Sequence, residues 1–574
     1  MPTLDLALLH APSVYDFRER PAMGGPISDV VPSTPVFEMY PLGFVSMVGF
    51  LEQHGYHARI VNLAVRMLRN PKFDVGEYLR KLEARVYGFD LHWLAHAGGS
   101  LDLAQVVKEH HPDAPVLLGG LSATYFHEEI MAHFPQVDFV LRGDTTEKPL
   151  LDLLDALEGG GDFSRVENLT WRTPEGRVKA NPLSYVPTNL DDLFVDYGSV
   201  VKQVLRYRDL ESVLPYESFM NYPFTAVITC KGCAYNCITC GGSCYAFQNF
   251  FNREGPTHKS PGKLVEEVAA ISEYFKAPIF LVGDLRQGGL KWAEGVLEAL
   301  REEQIDNTLT FELFDAAPRG WLERLADSTP SWTIEISPES HDDQVRHTMG
   351  KPYTTKQMEE TIEKAYALGA QKVDVFFMVG LSGQTRESAL ASVEYARHLY
   401  GKVADPGRLF CFTSPMAPFL DPGSMVYENP EKYGFTRLYH TLREHKEALM
   451  KPSWKHYLNY HTKWMSRDTL AETTYDAMLG MNEVKMEYGV VPGDHGEAVR
   501  EGLLLAKEVM GKIDEILRTS RGQEEVDARL HHLREELETV RRSRRVFKNE
   551  LRMPGMKGIR LKGAVRFLIK YLVG

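Results

Sequence analysis

The sequence predicts an α/β protein in three parts: a doubly wound parallel sheet, a partial β/α barrel and a helical C-terminal region. Short apolar runs alternate with helical stretches over 1–160 and again over 223–430, as they do in parallel sheets covered by helices. After 430 the pattern is helical, and Glu, Lys, Arg and Leu dominate 497–551. The chain of 574 residues is also too long for a single hydrophobic core, because single cores stop growing at about 250–300 residues.

The first part, 1–160, has five strand-like runs with short connections, which suggests a flavodoxin-like domain. Such a domain binds its ligand at the carboxyl ends of the strands, where these runs end in small or polar residues. Residues 161–222 are expected to form a connector with a hairpin at 168–180. The five runs are 4–10, 57–63, 84–90, 115–120 and 137–143, with helices expected near 41–55 and 100–111.

The second part, 223–430, repeats a strand and helix six times and is therefore expected to form a closed or partial parallel barrel. Its chemistry should lie at the carboxyl ends of the strands. Residues 431–574 form the helical region. The six runs are 224–230, 277–284, 308–315, 331–337, 372–381 and 408–414.

Composition is that of an ordinary globular protein, with 44% hydrophobic and 25% charged residues. No run reaches the roughly 18 apolar residues of a membrane span, and no basic region leads into a secretion signal, so a cytoplasmic location is expected. The net charge is −13, although 541–574 carries eleven Lys and Arg against the single acid Glu550. The acidic remainder argues against nucleic acid as a partner, whereas the basic tail could meet an anionic surface.

Five of the six cysteines lie in one short segment, TCKGCAYNCITCGGSC (229–244). Cys233, Cys237 and Cys240 can hold three irons of a cubane cluster, which leaves the fourth iron open to chelate the amino and carboxylate groups of S-adenosylmethionine. A zinc site on two Cys-x2-Cys pairs, starting at Cys230 and Cys237, is the alternative, but the three-residue loop between the pairs is short for it. Cys230 and Cys244 are interpreted as spare or buried thiols.

With this cysteine spacing, the sequence resembles the radical S-adenosylmethionine superfamily, in its cobalamin-domain class, over residues 1 to about 490. Thr239 stands where the family usually has an aromatic residue. The resemblance implies a [4Fe-4S] cluster on the three cysteines and cleavage of S-adenosylmethionine to a 5′-deoxyadenosyl radical. It also implies an electron donor such as flavodoxin or ferredoxin.

Further segments resemble the family's S-adenosylmethionine motifs in order along the barrel, and PFLDPGS (418–424) resembles a turn common in the cobalamin class. In FLVGD (280–284), Gly283 and Asp284 are expected to bind the methionyl amino group. In EISPES (335–340), Ser337 and Glu339 are expected to bind the ribose. In FMVGLSGQT (377–385), Val379, Gly380 and Leu381 are expected to lie near the adenine.

Three carboxylates in these segments, and one cysteine, have a plainer interpretation. Asp284, Glu335 and Glu339 could instead be carboxylates that order a barrel loop. Cys411 alternates with residues that could face the barrel, but a core thiol is favoured over a catalytic hydrogen donor.

The segments 41–55, 115–123 and 137–154 resemble the cobalamin-binding domain of these enzymes. The Asp-x-His-x-x-Gly loop after the first strand is missing, because Pro12 and Ser13 follow His10 there. His92 could face the lower side of the corrin, and the alternative is a loop histidine whose hydrogen bonds are satisfied within the protein. For the domain as a whole, the alternative is a fold that has lost its cofactor. The residues expected to contact cobalamin are Pro12, Ser13, Asp90, His92, Gly119, Gly120, Leu121, Ser122 and Gly143.

Together, the cofactors implied by this resemblance suggest methylation of an unactivated carbon in a small-molecule or lipid substrate. The second hypothesis is cyclisation, oxidation or rearrangement without methyl transfer. The third is a sensor that reads cobalamin or the cluster through the helical C-terminus.

The segment GIRLKGAVRFLIKYLVG (558–574) has leucine and valine on one helical face and lysine and arginine on another. This pattern suits a helix lying on an anionic membrane surface. The alternative is a helix packed on its own domain with solvated charges.

Overall fold

The computed structural model describes residues 4–20, 34, 36–416, 420–541 and 557–560. The amphipathic part of the predicted tail, from Leu561 onward, lies outside these residues. No helix in the described part of the chain is both long and apolar enough to cross a membrane.

The first sheet has seven strands in the order β2-β1-β3-β4-β5-β6-β7. Its first five strands are parallel and follow the flavodoxin-like order, which confirms the prediction. The predicted hairpin pairs antiparallel with β5, so the sheet continues into the segment expected to be a connector, and it is mixed rather than parallel. The strands are β1 Leu4–His10, β2 Ala58–Asn62, β3 Ala84–Asp90, β4 Val116–Gly119, β5 Phe139–Leu141, β6 Leu169–Arg172 and β7 Val178–Ala180.

Helices cover this sheet, and their first turns are fixed by local contacts. The side chains of Asn62 and Asp74 accept hydrogen bonds from the N–H groups that open the second and third helices. The fourth helix starts against the loop after β1: a Cβ on Gly99 would lie 1.8 Å from the Pro12 carbonyl oxygen, so only glycine fits. The helices are α1 Gly43–Gln53, α2 Leu63–Arg69, α3 Val75–Lys81, α4 Ala97–His110, α5 Leu121–Tyr125, α6 His127–His133 and α7 Glu147–Glu158.

The second sheet has six parallel strands in the order β8-β12-β13-β14-β15-β16. No pairing joins β8 to β16 among the residues described, so the barrel is partial. The strands of this part, with three short ones, are β8 Thr225–Ile228, β9 Cys230–Lys231, β10 Thr257–His258, β11 Phe275–Lys276, β12 Ile279–Val282, β13 Leu309–Leu313, β14 Trp332–Glu339, β15 Val373–Val379 and β16 Leu409–Pro415.

Helices follow these strands, and the two faces of the barrel sheet differ in polarity. Ile334 and Ile336 alternate along β14 with Glu335, which aligns in register with Glu312 on β13 and Asp374 on β15. Because side chains alternate across a strand, this register puts one carboxylate layer across three strands. The helices are α8 Tyr197–Tyr207, α9 Cys244–Phe250, α10 Pro261–Tyr274, α11 Leu290–Glu303, α12 Arg319–Ser328, α13 Asp343–Thr348, α14 Thr355–Ala367, α15 Arg386–Lys402 and α16 Met425–Glu428.

The C-terminal region is helical, as predicted. Arg560, the last described residue, forms an ion pair with Asp306 of the barrel. The elements are β17 Phe435–Arg437, α17 Leu442–Leu449, β18 Tyr460–Thr462, α18 Arg467–Glu487, α19 Gly493–Thr519, α20 Gln523–Arg541 and β19 Lys557–Ile559, of which β17 pairs with β18 and β19 with β11.

Candidate active site

The three predicted cluster cysteines lie in the loop that leaves the first barrel strand. The chain passes from β8 through β9 into this loop and then into α9, whose first residue is Cys244. Backbone N–H groups point at two of the thiols: Tyr235 N donates to Cys233 Sγ at 3.4 Å, and Gly242 N donates to Cys240 Sγ at 3.3 Å. Such donors are typical of the surroundings of iron–sulfur clusters, where they tune the reduction potential.

The three cysteines differ in exposure: Cys233 and Cys237 are partly buried and Cys240 is exposed. Desolvation raises the pKa of Cys233 to about 11. Burial also raises the pKa of Cys237, while the nearby Lys351 amine lowers it. A bound metal must therefore supply the positive charge that keeps these sulfurs as thiolates.

The spacing of the thiols favours a cluster over a single zinc ion. No three cysteine sulfurs in the described part of the chain lie within 4.8 Å of one another. A tetrahedral zinc site with bonds of about 2.3 Å brings its sulfurs to within about 4 Å. A cubane places its thiolates farther apart, because each binds a different iron.

Beside the cysteine loop, the end of β12 meets a buried carboxylate from β13. Gly283 has a φ of +100°, and a Cβ there would lie 2.8 Å from Thr229 Oγ1, so the position requires glycine. Its N–H donates to Glu312 Oε2 at 2.6 Å. Burial raises the pKa of Glu312 to about 7, although the Gly283 N–H opposes this shift. Gly283, which was predicted from the sequence, therefore lies beside Glu312, which was not predicted.

A buried cation completes this part of the site. The Lys351 amine lies 3.5 Å from a carboxylate oxygen of Glu339, and both side chains are less than a tenth exposed. Burial lowers the pKa of Lys351, but Cys237 and Glu339 outweigh it and the net shift is upward, so the amine is charged. The second carboxylate oxygen of Glu339 is buried without a hydrogen-bond partner. A polar ligand can supply what this oxygen lacks.

The remaining residues nominated for S-adenosylmethionine lie at the ends of β12, β14 and β15. Asp284 accepts hydrogen bonds from Arg286 and from Phe314 N, so its carboxylate orders the loop. Ser337 lies half-buried near the end of β14. Val379, Gly380 and Leu381 end β15 at the same edge, and Gln384 Oε1 accepts from the N–H groups of Gly380 and Leu381.

Glu335 lies deeper in the barrel. It is buried, one of its carboxylate oxygens has no hydrogen-bond partner, and burial together with Glu312 raises its pKa. A neutral carboxyl group can sit there without a compensating cation. Cys411 pairs in register with Val375 and is fully buried, as a core thiol is.

Most residues predicted to contact cobalamin meet at the carboxyl edge of the first sheet. The His92 carbonyl accepts from Ser122 N at 3.1 Å and from Ser122 Oγ at 3.2 Å. Gly143 N donates to Thr124 Oγ1 at 3.0 Å, which ties the end of β5 to α5. Gly119, Gly120, Leu121 and His92 are partly exposed at this edge, whereas the strands behind them are buried. The edge is thus accessible and rich in glycine, as a broad flat ligand requires.

Three further predicted contacts, at the ends of β1 and β3, are buried and have partners within the domain. The Asp90 carboxylate accepts from His10 Nδ1 at 2.9 Å and is buried. Pro12 and Ser13 are buried under the start of α4, where the Ser13 carbonyl accepts from Gly99 N at 3.1 Å. Burial lowers the pKa of His92 to about 4, so this ring is neutral and its lone pair is available.

We predict that Gly120→Ala destabilises the N-terminal domain and weakens cobalamin retention. Gly120 has a φ of +116°, and its Cβ would lie 2.6 Å from His92 Cα. Strain of this kind costs about 1–3 kcal/mol. Thermal unfolding and the corrin absorbance that survives desalting measure the two effects. Gly76→Ala on α3 is the control, because its Cβ would meet only ordinary contacts at 3.5 Å or more; an equal loss in both variants would contradict the prediction.

The two sheet edges face each other across the domain junction. Arg253, just after α9, forms a buried ion pair with Asp144, just after β5, at 2.6 Å. The Arg253 guanidinium also donates to the Pro187 carbonyl and to Thr257 Oγ1. His92 lies close enough to Lys231 of β9 for this cation to lower the pKa of His92 further.

A cavity opens at the same junction. It is lined by both domains, including Ser46 and Glu147 from the first and Ile228, Lys231 and Lys259 from the second. This cavity is small and lies between the two domains, and neither the three cysteines nor the glycines at the edge of the first sheet line it.

The comparisons with known proteins agree with this arrangement. The family model described as "B12 binding domain" matches residues 29–150, and that of the "Radical SAM superfamily" matches 227–396. Among solved structures, the chain is similar to the radical S-adenosylmethionine methyltransferase TsrM from Kitasatospora setae with cobalamin and a [4Fe-4S] cluster bound. The TM-score is 0.56 at 15% identity, over 86% of this chain and 90% of that one, which shows a shared fold.

Curated relatives are distant and cover less of the chain. An uncharacterized methyltransferase of Pyrococcus horikoshii is 23% identical over 332 residues, 57% of this chain and 67% of the relative. The anaerobic magnesium-protoporphyrin IX monomethyl ester cyclase of Rubrivivax gelatinosus is 24% identical over 187 residues, 31% of this chain and 30% of the cyclase. The two matched domains, with the cysteine spacing, show that this chain belongs to the radical S-adenosylmethionine superfamily, carries a B12-binding domain, and has a [4Fe-4S] cluster, S-adenosylmethionine and cobalamin as cofactors.

Proposed function

We propose that this chain is a methyltransferase that transfers a methyl group to an unactivated carbon of a small-molecule or lipid substrate. The junction between the two domains carries this proposal. Arg253 and Asp144 join the edge that would hold the corrin to the segment that follows the cluster loop. Lys231, two residues before Cys233, lies close enough to His92 to lower the pKa of that ring. Chemistry that uses both cofactors requires the two edges to be close, since the reactants must be held in contact.

The cofactors supply the hard chemistry: the cluster with S-adenosylmethionine provides a radical that abstracts hydrogen, and cobalamin provides a transferable methyl group. The residues of the chain supply binding and orientation. Cys233, Cys237 and Cys240 would hold the cluster and leave one iron open. Gly119, Gly120 and Gly143 line the edge that would accept the corrin.

The charges beside the cysteine loop suit the methionyl end of S-adenosylmethionine. Lys351 is a charged amine next to Cys237 and would pair with the methionyl carboxylate. The Gly283 backbone lies at the same edge for the amino group, and Glu312 fixes that backbone through the Gly283 N–H. Glu339, with one free acceptor oxygen, is suited to bind a ribose hydroxyl.

Lys351→Met is expected to weaken binding of S-adenosylmethionine by about 10–100-fold, because a hydrogen bond to a charged group contributes about 1.5–3 kcal/mol. Equilibrium dialysis with the cluster-loaded protein measures the dissociation constant, and the iron content is measured in parallel to confirm that the cluster is retained. Lys451→Met is the control, since Lys451 is exposed. An unchanged dissociation constant at full cluster loading would remove Lys351 from the binding site.

The function itself is tested by comparing products with and without cobalamin. Cluster-loaded protein is given S-adenosylmethionine and a strong reductant. We expect S-adenosylhomocysteine together with 5′-deoxyadenosine when cobalamin is present, and 5′-deoxyadenosine alone when it is withheld. If 5′-deoxyadenosine alone forms even with cobalamin bound, the second candidate is favoured: cyclisation, oxidation or rearrangement without methyl transfer. The similarity to the Rubrivivax cyclase is the observation that supports this second candidate.

A further inference from the structure

A second cluster of metal-binding side chains lies in the first domain, away from the cysteines. His10 ends β1, Asp90 ends β3, and His96 lies in the turn before α4. Each is at most 2% exposed. One ligand atom from each lies within 4.8 Å of the other two, and no other such trio occurs in the described ranges.

The hydrogen bonds fix which ring nitrogens can bind an ion. The Phe37 carbonyl oxygen lies 3.0 Å from Nε2 of His10 and 3.0 Å from Nε2 of His96. A carbonyl oxygen only accepts, so both Nε2 atoms carry hydrogen. The Nδ1 atoms then face the two oxygens of Asp90, at 2.9 Å for His10 and 3.8 Å for His96.

Acceptors outnumber protons in this arrangement. His96 uses Nε2 to donate to Phe37, and its Nδ1, 3.8 Å from Asp90 Oδ2, makes no hydrogen bond and is left to act as an acceptor. That atom and Asp90 Oδ2, which it faces, are both buried without a hydrogen-bond partner. One proton on His10 Nδ1 satisfies only the other side of the carboxylate. Two facing acceptors in a dry site are costly.

Charge adds a second reason. Glu38 is fully buried and directly follows Phe37, whose carbonyl contacts both histidine rings. The Glu38 carboxylate accepts hydrogen bonds from the N–H and hydroxyl of Thr34. A divalent cation held by Asp90 would add positive charge to a part of the domain that contains two buried acidic side chains.

We propose that His10 Nδ1, His96 Nδ1 and the Asp90 carboxylate bind one divalent transition-metal ion, with zinc as the probe. Two imidazole nitrogens and a carboxylate oxygen are ligands that zinc accepts. Ligating histidines regularly donate their other N–H to a carbonyl or carboxylate, as both do here to Phe37. The ion takes the place of the proton on His10 Nδ1, which leaves to solvent. It ties β1, β3 and the segment around Phe37 together beneath the loop that holds His92.

The test uses full-length protein with its iron–sulfur cluster assembled, so that the cysteines are occupied. The protein is incubated with zinc, dialysed and analysed for metals. We expect stoichiometric zinc with only nitrogen and oxygen in its first shell by X-ray absorption at the zinc edge. Absence of stoichiometric zinc would overturn the proposal, because it would mean that these three side chains bind protons and no metal. A first shell that contains sulfur would also overturn it, because the zinc would then be bound to cysteines.

A matched pair of variants locates the ion. His96→Gln keeps an N–H donor for the Phe37 carbonyl but removes Nδ1, and retained zinc should fall at least about tenfold. His127→Gln is the control, because His127 is partly buried in the same domain and bonds Thr170 instead. Equal zinc in both variants would also overturn the proposal. If His96→Gln does not fold, the zinc-edge spectrum of the wild-type protein decides alone.

Discussion

Replacing Cys233, Cys237 or Cys240 by serine is expected to abolish cluster assembly. A [4Fe-4S] cluster held by three thiolates cannot lose one of them and keep its site. Reconstituted wild-type protein should contain about four irons per chain, and each variant less than about one. Iron and sulfide analysis with the visible absorption spectrum measures this.

Cys244→Ser provides the matched control. Cys244 lies in the same segment, as the first residue of α9, and is not among the three ligands proposed. Its variant should load as much iron as the wild-type protein. Loss of iron in Cys244→Ser but not in Cys240→Ser would show that the ligand set has been assigned wrongly.

Arg253→Met is expected to damage the junction between the two cofactor domains. The Arg253 and Asp144 side chains are 2% and 6% exposed, so removing one leaves a buried charge without its partner, at a cost of about 3–5 kcal/mol. The thermal midpoint should fall. Formation of S-adenosylhomocysteine should fall more than formation of 5′-deoxyadenosine, because only the former needs both edges in register.

The double variant Arg253→Met/Asp144→Leu separates charge from packing. Replacing both partners of a buried pair by apolar groups is often nearly neutral, so the thermal midpoint should recover much of its loss. Arg319→Met controls for the loss of any arginine, since its pair with Glu323 is exposed and contributes little. If Arg253→Met behaves like Arg319→Met, the junction does not depend on this pair.

The strands could be predicted because parallel strands are buried on both faces and appear as continuous apolar runs. The hairpin at 168–180 was also predicted, but its place in the first sheet was not. That place depends on the pairing of Leu169 with Leu141, and no local pattern encodes such a partner. The cysteine loop could be predicted because its ligands are separated by only a few residues.

Residues brought together from distant segments were harder to predict. The sequence places Asp90 beside His92, and only the fold brings its carboxylate to His10, because β1 and β3 are neighbouring strands. The contact of Asp90 with cobalamin stays a prediction. Lys351 carries no motif, and only the fold brings it to Cys237. Glu312 could have been identified from the sequence, because it is an acidic residue inside an apolar strand. Burying a carboxylate is costly unless it is paired or hydrogen-bonded, so such a residue indicates a specific contact.

The most direct test of the central claim is whether the reconstituted wild-type protein cleaves S-adenosylmethionine reductively. The protein is loaded with iron, sulfide and cobalamin, supplied with S-adenosylmethionine and a low-potential reductant, and the nucleosides are separated and quantified. Reductive cleavage should release 5′-deoxyadenosine, and none should form when the reductant or the cluster is omitted. Absence of 5′-deoxyadenosine from protein that holds an intact reduced cluster and bound S-adenosylmethionine would contradict the account.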